Sequence, residues 1–284
     1  MARRVRLDAE LVRRGLARSR ADATDLVEAG RVSVDGQAAT KAARQVDPAQ
    51  AVEVSGEASE GYASRGAYKL LGALEALGVD APVIAGRRVL DAGASTGGFT
   101  DVLLRAGAAS VVAVDVGYGQ LAWRLRQDPR VEVLDRTNVR TLKPDAVAPP
   151  PELVVSDLSF ISLTLVIEAL RRCAAPGADF LLMVKPQFEV GRELLGSGGV
   201  VRDTDLHHDA IMGVCAAAAA HGLDTWAVAA SPLPGPAGNV EYFVALQEAH
   251  PRALRGADLS GAVRSAIERG PAGGRATDDR EGDA

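Results

Sequence analysis

Lysine is scarce in this chain of 284 residues: of its 32 basic residues only Lys41, Lys69, Lys143 and Lys185 are lysine, and the rest are arginine. Base composition of the coding sequence accounts for such a bias, yet it makes each surviving lysine informative. A guanidinium cannot lose its proton in a protein whereas an amine can, so a site that needs a neutral amine cannot accept arginine. Cysteine is scarcer still. Cys173 and Cys215 stand in apolar surroundings and in no CxxC or Cys/His spacing, which argues against a disulfide framework and against a structural zinc. Long apolar runs are lacking as well: the longest, Val214 to Ala220, falls far short of the roughly 20 residues that a membrane-spanning helix needs. The first residues are basic but precede no apolar core with a small-residue cleavage site, so no signal peptide is expected and a cytoplasmic location is. A net charge of −5 excludes a protein that coats nucleic acid, and any basic surface has to be local.

What is present falls into four segments. Residues 1–58 read as a small α+β module, 59–64 as a linker and 65–250 as an α/β domain. Residues 251–284 read as a helix and a tail that has almost nothing to bury beyond Arg269. In the first segment Asp8–Ala17 and Ser19–Ala29 carry helical periodicity, with Ser19 as the N-cap and Gly30 as a stop. Alternation after Arg31 runs into Asp35-Gly36, a hairpin signal, and Ala51–Val54 supplies a closing strand. The first 31 residues hold eight arginines against five acids. Arg3, Arg4, Arg13, Arg14, Arg18 and Arg20 are expected to form one phosphate-facing surface, with a plain solvated helix face as the alternative.

In the large segment Arg65–Leu77 shows an apolar stripe of Leu70, Leu71, Leu74 and Leu77 at helical spacing, with Lys69 off that stripe and able to approach a second surface. Apolar strands then alternate with helical stretches: Arg88–Asp91, Ser110–Val116, Val131–Leu134, Leu153–Asp157, Phe180–Lys185, Thr225–Ala229 and Glu241–Leu246. This pattern predicts a Rossmann-like sheet, mostly parallel and covered on both faces, whose last strand enters antiparallel through the Pro/Gly-rich turn at 231–239.

The first of those strands runs into Asp91-Ala-Gly93-Ala-Ser95-Thr96-Gly97-Gly98-Phe99, and the second ends at Asp115. A glycine turn between strand and helix lets a ligand approach the backbone, and an acid at the tip of the second strand can accept both ribose hydroxyls of a nucleoside. The spacing is neither the dinucleotide fingerprint nor a Walker motif. Acidic Asp91 and the lack of a pyrophosphate cradle fit S-adenosylmethionine, which has no phosphate and a cationic amino-acid end. Asp135 and Asn138, after the third strand, are either adenine contacts or local loop caps. Asp157, Lys185 and Glu241 terminate or open strands at the same sheet edge, where Lys69 joins them in the reading that follows.

Lys69, Asp157, Lys185 and Glu241, with the glycine loop between the first two, resemble the Lys-Asp-Lys-Glu tetrad of FtsJ-type ribose 2′-O-methyltransferases. Ser64-Arg-Gly-Ala-Tyr-Lys69-Leu, Asp91 to Asp101, Asp157-Leu-Ser-Phe-Ile-Ser162 and Lys185-Pro-Gln-Phe-Glu189 are similar to phrases of the TlyA family in particular, over roughly residues 3–248. That resemblance implies an S4-like RNA-binding module joined to a methyltransferase domain, and S-adenosylmethionine-dependent 2′-O-methylation of cytidine in ribosomal RNA. Arg3 and Arg4 ahead of Arg6-Leu-Asp resemble the subgroup that modifies both ribosomal subunits. Arg6 and Arg65 are then RNA-contact candidates beside the arginines named above. Phe160 either stacks on a flipped base or packs beside Leu158 and Ile161. Here Glu60-Gly-Tyr62-Ala stands where relatives carry a basic, Trp-containing linker, and Thr204 stands where proline is frequent.

In this reading Lys185, as a neutral amine, accepts the proton of the ribose hydroxyl, while Asp157 and Glu241 orient the lysines. Competing readings are a nicotinamide-dependent dehydrogenase, disfavoured by the glycine spacing, and a pore-forming haemolysin, which needs a spanning element not found in the sequence. A methyltransferase acting on another RNA stays open.

Overall fold

The computed structural model describes residues 5–14, 16–17, 19–28, 30, 32–47, 50, 52–54, 61–235 and 237–272. Arg3, Arg4 and Arg18, the linker stretch 55–60 and the tail past residue 272 lie outside the described residues. The chain divides into two compact units between Gly61 and Tyr62.

In the first unit a short strand, Val5–Arg6, pairs antiparallel with Gln45–Val46 and leads straight into helix Leu7–Arg13. The helix stops before the expected Ala17; Gly15, a poor helix former, is the signal that the periodicity passed over. A second helix, Arg20–Glu28, is capped as expected, with Ser19 Oγ accepting from the Asp22 amide at 3.1 Å. Strands Val32–Val34 and Gln37–Ala38 form a hairpin through Asp35 and Gly36, both at positive φ (51° and 76°), and Val52–Val54 pairs on the other side. Those φ signs match the tight turn that suits right-twisted strands. Leu7, Leu11, Ala23, Val27, Val32, Val34 and Val46 fill the core.

The second unit is built on a sheet of seven strands: β1 (Arg88–Ala92), β2 (Ser110–Val114), β3 (Val131–Leu134), β4 (Leu153–Ser156), β5 (Asp179–Val184), β6 (Leu223–Ala230) and β7 (Tyr242–Glu248). Their order is β6-β7-β5-β4-β1-β2-β3, with β7 antiparallel to both neighbours and β1 to β5 parallel. The expected mostly parallel sheet with an antiparallel last strand is what forms. Alternate residues of each strand supply two separate cores, as pleating requires. Leu90, Val112, Val154, Leu182 and Val244 face helices α4 (Ile167–Cys173), α6 (Thr204–Ala220) and α7 (Gly256–Arg269). Val89, Val111, Val155, Leu181 and Ala245 face α1 (Gly66–Leu77) and α2 (Gly98–Arg105). The remaining helices, α3 (Trp123–Arg126) and α5 (Pro186–Glu189), are single turns. Helix α6 starts without the frequent proline because Asp203 caps it, accepting from the Asp205 amide at 2.9 Å.

Helix α1 departs from its expected orientation. Its fully buried residues are Ala67, Leu70 and Ala73, with Lys69 also buried at 5% exposure, whereas Leu71 and Leu74 are only partly covered. The buried face is thus rotated toward the alanines. Small side chains permit close approach: a Cβ added at Gly72 would lie 2.3 Å from Pro232. Lys69, off the leucine stripe, thereby lies on the buried side and meets a second surface. Among the described residues no helix is long and apolar enough to cross a membrane.

Candidate active site

The sheet delivers its chemistry at one edge. Strand β1 ends in a glycine loop, β4 in Asp157, β5 in Lys185, and antiparallel β7 begins just after Glu241. A cleft of about 230 Å³ opens there, lined by Arg65, Lys69, Gly93, Ser95, Thr96, Gly98, Phe99, Asp157 and Lys185, and also by Ser64 and Ser159. Two ion pairs meet there, with Lys69, Asp157 and Lys185 on the lining and Glu241 not on it. Lys69 Nζ lies 2.5 Å from Glu241 Oε2, both side chains almost fully buried. Lys185 Nζ lies 2.6 Å from Asp157 Oδ1 and donates to Ser159 Oγ at 2.8 Å. A charged carboxylate as buried as Glu241, 1% exposed, is strongly unfavourable without a partner of opposite charge, which Lys69 supplies. Ser159 was not singled out from the sequence, although it sits inside the Asp157-Leu-Ser-Phe phrase that was.

Close packing shapes the loop. Gly93 has φ +90°, and a Cβ there would meet the Asp157 carbonyl oxygen at 2.7 Å. A Cβ at Gly97, φ +96°, would meet Leu125 at 2.3 Å, and one at Gly98 would meet Ser64 Oγ at 2.4 Å. Only glycine fits at these three positions. Asp115 secures the loop from the side: its carboxylate accepts the amides of Ser95 at 2.8 Å and Gly117 at 2.7 Å.

Asp91 is wholly buried beneath the loop. Its Oδ2 accepts from Thr100 Oγ1 at 2.6 Å, and its Oδ1 has no hydrogen-bond partner. Burial, assisted by the charges of Asp157 and Asp115, pushes its pKa up to about 7. Because that lies above the ordinary range of an aspartate carboxyl, about 3.9, the folded state holds the proton more tightly. Stability should therefore fall as pH rises from about 4 to 7, with the full penalty present above 7, at about 1.4 kcal/mol per pH unit as an upper bound. Asp91→Asn removes this slope. The melting temperature of the variant relative to the parent is expected to climb between about pH 5 and pH 7 and to level off above that, and a constant difference from about pH 5 to pH 7 would contradict the assignment.

Several expected site residues are engaged elsewhere. Asp135 pairs with Arg126 at 2.6 Å, and Asn138 caps the turn Val139–Thr141 by accepting from the Arg140 amide at 3.0 Å. Neither lines the cleft; for Asn138 the capping alternative is the local role that the structure displays. Phe160 is 90% exposed, which excludes the core alternative for it. Arg65 donates to the Pro234 carbonyl at 3.3 Å.

Four arginines of the first unit are paired with acids. Arg6 and Arg20 both hold Asp8, and Arg13 and Arg14 both hold Glu10. These guanidiniums keep the Glu10 carboxyl down at about 2 and push that of Asp8 well below its usual range, in each case against the opposing effect of burial. Asp8 and Glu10 flank the buried Leu7–Leu11 stripe on opposite sides of the helix, since each residue advances about 100°. The described arginines thus hold these two acids in pairs, Arg6 with Arg20 and Arg13 with Arg14.

Comparison with known proteins agrees with this architecture. Residues 62–248 match the FtsJ-like methyltransferase family, and residues 5–52 match the S4 domain. The chain is 55% identical to the 16S/23S rRNA (cytidine-2′-O)-methyltransferase TlyA of Mycobacterium tuberculosis, over 95% of this chain and 100% of the relative. It is 34% identical to Hemolysin A of Brachyspira hyodysenteriae, over 84% of this chain and 98% of that one. A solved structure from Streptococcus thermophilus, 34% identical, superposes with a TM-score of 0.68 and covers 99% of this chain and 100% of its own. Family match, length coverage and the sheet order concur: this chain belongs to the FtsJ-like methyltransferase family, in the S4-carrying branch that includes TlyA.

Proposed function

We propose that the protein transfers a methyl group from S-adenosylmethionine to the 2′-hydroxyl of a cytidine in ribosomal RNA, in the small subunit and also the large. The observation that carries this reading is the meeting of two lysine–carboxylate pairs, Lys69–Glu241 and Lys185–Asp157, at the cleft whose rim is the glycine loop. The named activity of the mycobacterial relative supports it.

The loop fits the cofactor. Gly93, Gly97 and Gly98 let the loop pack tightly against its neighbours, Asp115 beside the loop is the acceptor for the ribose hydroxyls in this reading, and the orphaned Oδ1 of buried Asp91 suits a nearby cationic amino-acid group. Ser95, Thr96 and Phe99 complete the wall; Asp135 and Asn138, held by Arg126 and by the turn that follows, are not among the cofactor contacts of this reading. When bound, S-adenosylmethionine supplies an electrophilic methyl group on a sulfonium.

The chain's own part is to orient and deprotonate the hydroxyl. A neutral amine has two N–H groups and one lone pair. Lys185 can spend both N–H groups on Asp157 Oδ1 and Ser159 Oγ, which leaves the lone pair free to take the hydroxyl proton. Lys69, its charge matched by Glu241, stabilises negative charge that develops on the ribose oxygen. Phe160 offers an exposed face to the base, and Arg65 at the cleft rim offers a charge to phosphate. In the first unit Arg6, Arg13, Arg14 and Arg20, with Arg3, Arg4 and Arg18, hold the RNA through its backbone.

The experiment incubates the purified chain with S-adenosylmethionine and with ribosomal subunits from cells that lack the modification, then digests the RNA to nucleosides for mass spectrometry. The expected product is 2′-O-methylcytidine. A methyl group on a base carbon or nitrogen, or none at all, would contradict the reading.

A further inference from the structure

Five contacts tie together the chain segments that follow β4 and β5, and two of them are made by a residue with no role in the mechanism above. Asp157 and Ser159 both engage Lys185. One turn later Phe188 packs on Phe160, their ring centroids 5.3 Å apart at 46°. At the end of α5, Glu189 reaches back to the same loop: its Oε2 accepts from Ser162 Oγ at 2.5 Å and its Oε1 from the Leu163 amide at 2.8 Å. Burial pushes the Glu189 carboxyl above its usual range, and these two donors are what offset the cost.

The loop so held is under tension. Phe160 has φ +63°, a left-handed conformation that is unfavourable for a residue with a side chain and persists only when its surroundings over-determine it. Leu163, 2% exposed, anchors the loop in the core, and Ser162 caps the turn that follows by accepting from the Thr164 amide at 3.1 Å. Between the catalytic lysine and that anchor, the Phe160 ring is turned out to solvent beside the cleft.

We propose that Glu189 is a positioning residue that clamps the 158–164 loop in the conformation presenting Phe160 to the substrate nucleotide. The proposal rests on the function proposed above. Helix α5 then does two things at once, carrying Lys185 at its N-cap and the clamp at its far end, so the base and the nucleotide platform are set by one rigid turn.

The chemistry distinguishes the clamp from mere space-filling. In Glu189→Gln the amide oxygen still accepts the Leu163 amide, and the new N–H donates to Ser162 Oγ, whose own proton turns to Thr164 Oγ1, 2.7 Å away. Glu189→Ala can do neither. In the full-length chain Glu189→Ala is expected to raise KM for ribosomal RNA about tenfold, the worth of one hydrogen bond to a charged group. Cofactor affinity and kcat should stay within about twofold, and exchange of the Leu163 amide should quicken. Glu189→Gln is expected to restore KM. Adding Glu189→Ala to Phe160→Ala should cost nothing further, because the clamp acts through that ring. Ser162→Ala, which removes one bond without opening the core, keeps the test intact if Glu189→Ala does not fold, and should raise KM about threefold. The proposal is overturned if KM is unchanged in Glu189→Ala or Ser162→Ala, if Gln is as defective as Ala, or if the losses at Glu189 and Phe160 multiply. An inactive parent chain would remove both the function and this proposal. An active parent beside an unaffected Glu189→Ala removes the proposal alone.

Discussion

Replacing Lys185 by arginine is expected to lower the rate of methyl transfer by about 10²- to 10⁴-fold, the usual worth of a general base, while cofactor affinity stays close to that of the parent. Arginine keeps the positive charge and can still reach Asp157, so the ion pair that shapes the cleft survives. What it lacks is a lone pair that opens at accessible pH. The substitution therefore separates the electrostatic contribution of residue 185 from its capacity to accept a proton. Lys185→Met, by contrast, leaves Asp157 without its cation and should damage both. Single-turnover rates from pH 7 to pH 10 make the check: a Lys185→Arg chain that approaches the parent's rate at the alkaline end would eliminate the base assignment. Lys69→Arg is a milder case, since a cation paired with Glu241 is what that position requires and the burden there is one of fit.

The second large effect belongs to the first unit. Removing residues 1–61 is expected to abolish methylation of ribosomal RNA and to leave cofactor affinity unchanged. The remaining residues keep both cores of the seven-stranded sheet and the whole cleft, because the division of the chain falls between Gly61 and Tyr62. The lost part carries the Arg6–Arg20 and Arg13–Arg14 pairs, each held by a buried acid. Two tethered contacts raise avidity by about 10²–10⁴ over either alone, so their separation costs a comparable factor in apparent RNA affinity. The salt dependence of binding should flatten at the same time, as fewer phosphates are neutralised. Titration of cofactor and RNA against the shortened chain decides the matter. Full activity on ribosomal subunits would show that residues 62–284 recognise the substrate by themselves.

The fold was largely legible in the sequence because apolar strands that are buried on both faces announce themselves, and each here ends in a polar or glycine residue. Leu153 to Ser156 and Asp179 to Val184 are such runs, and Asp157 and Lys185 mark their ends. The setting of α1 was not legible. A leucine stripe is visible by periodicity, but the packing is decided by Ala67, Gly72 and Ala73, whose lack of bulk allows close approach, and this brings Lys69 inside. Its partner Glu241 stands 172 positions away, and no local pattern reports such a pairing. The ion pairing of the first unit's arginines was illegible for a related reason. Charge counting sees their excess over the acids, but not that Asp8 and Glu10 gather them into two sets on opposite sides of a helix. Ser159 and Glu189 were passed over because a serine and a glutamate in a loop or a short helix are ordinary until their partners are known.

The most direct test of the whole account is a crystal structure of the chain with S-adenosylhomocysteine and a short RNA containing the target cytidine. The account expects the 2′-oxygen of that cytidine within hydrogen-bond reach of Lys185 Nζ, with the cofactor sulfur on its other side and Lys69 nearby. A 2′-oxygen out of reach of both lysines, or a cofactor bound away from the Gly93–Phe99 loop, would contradict it.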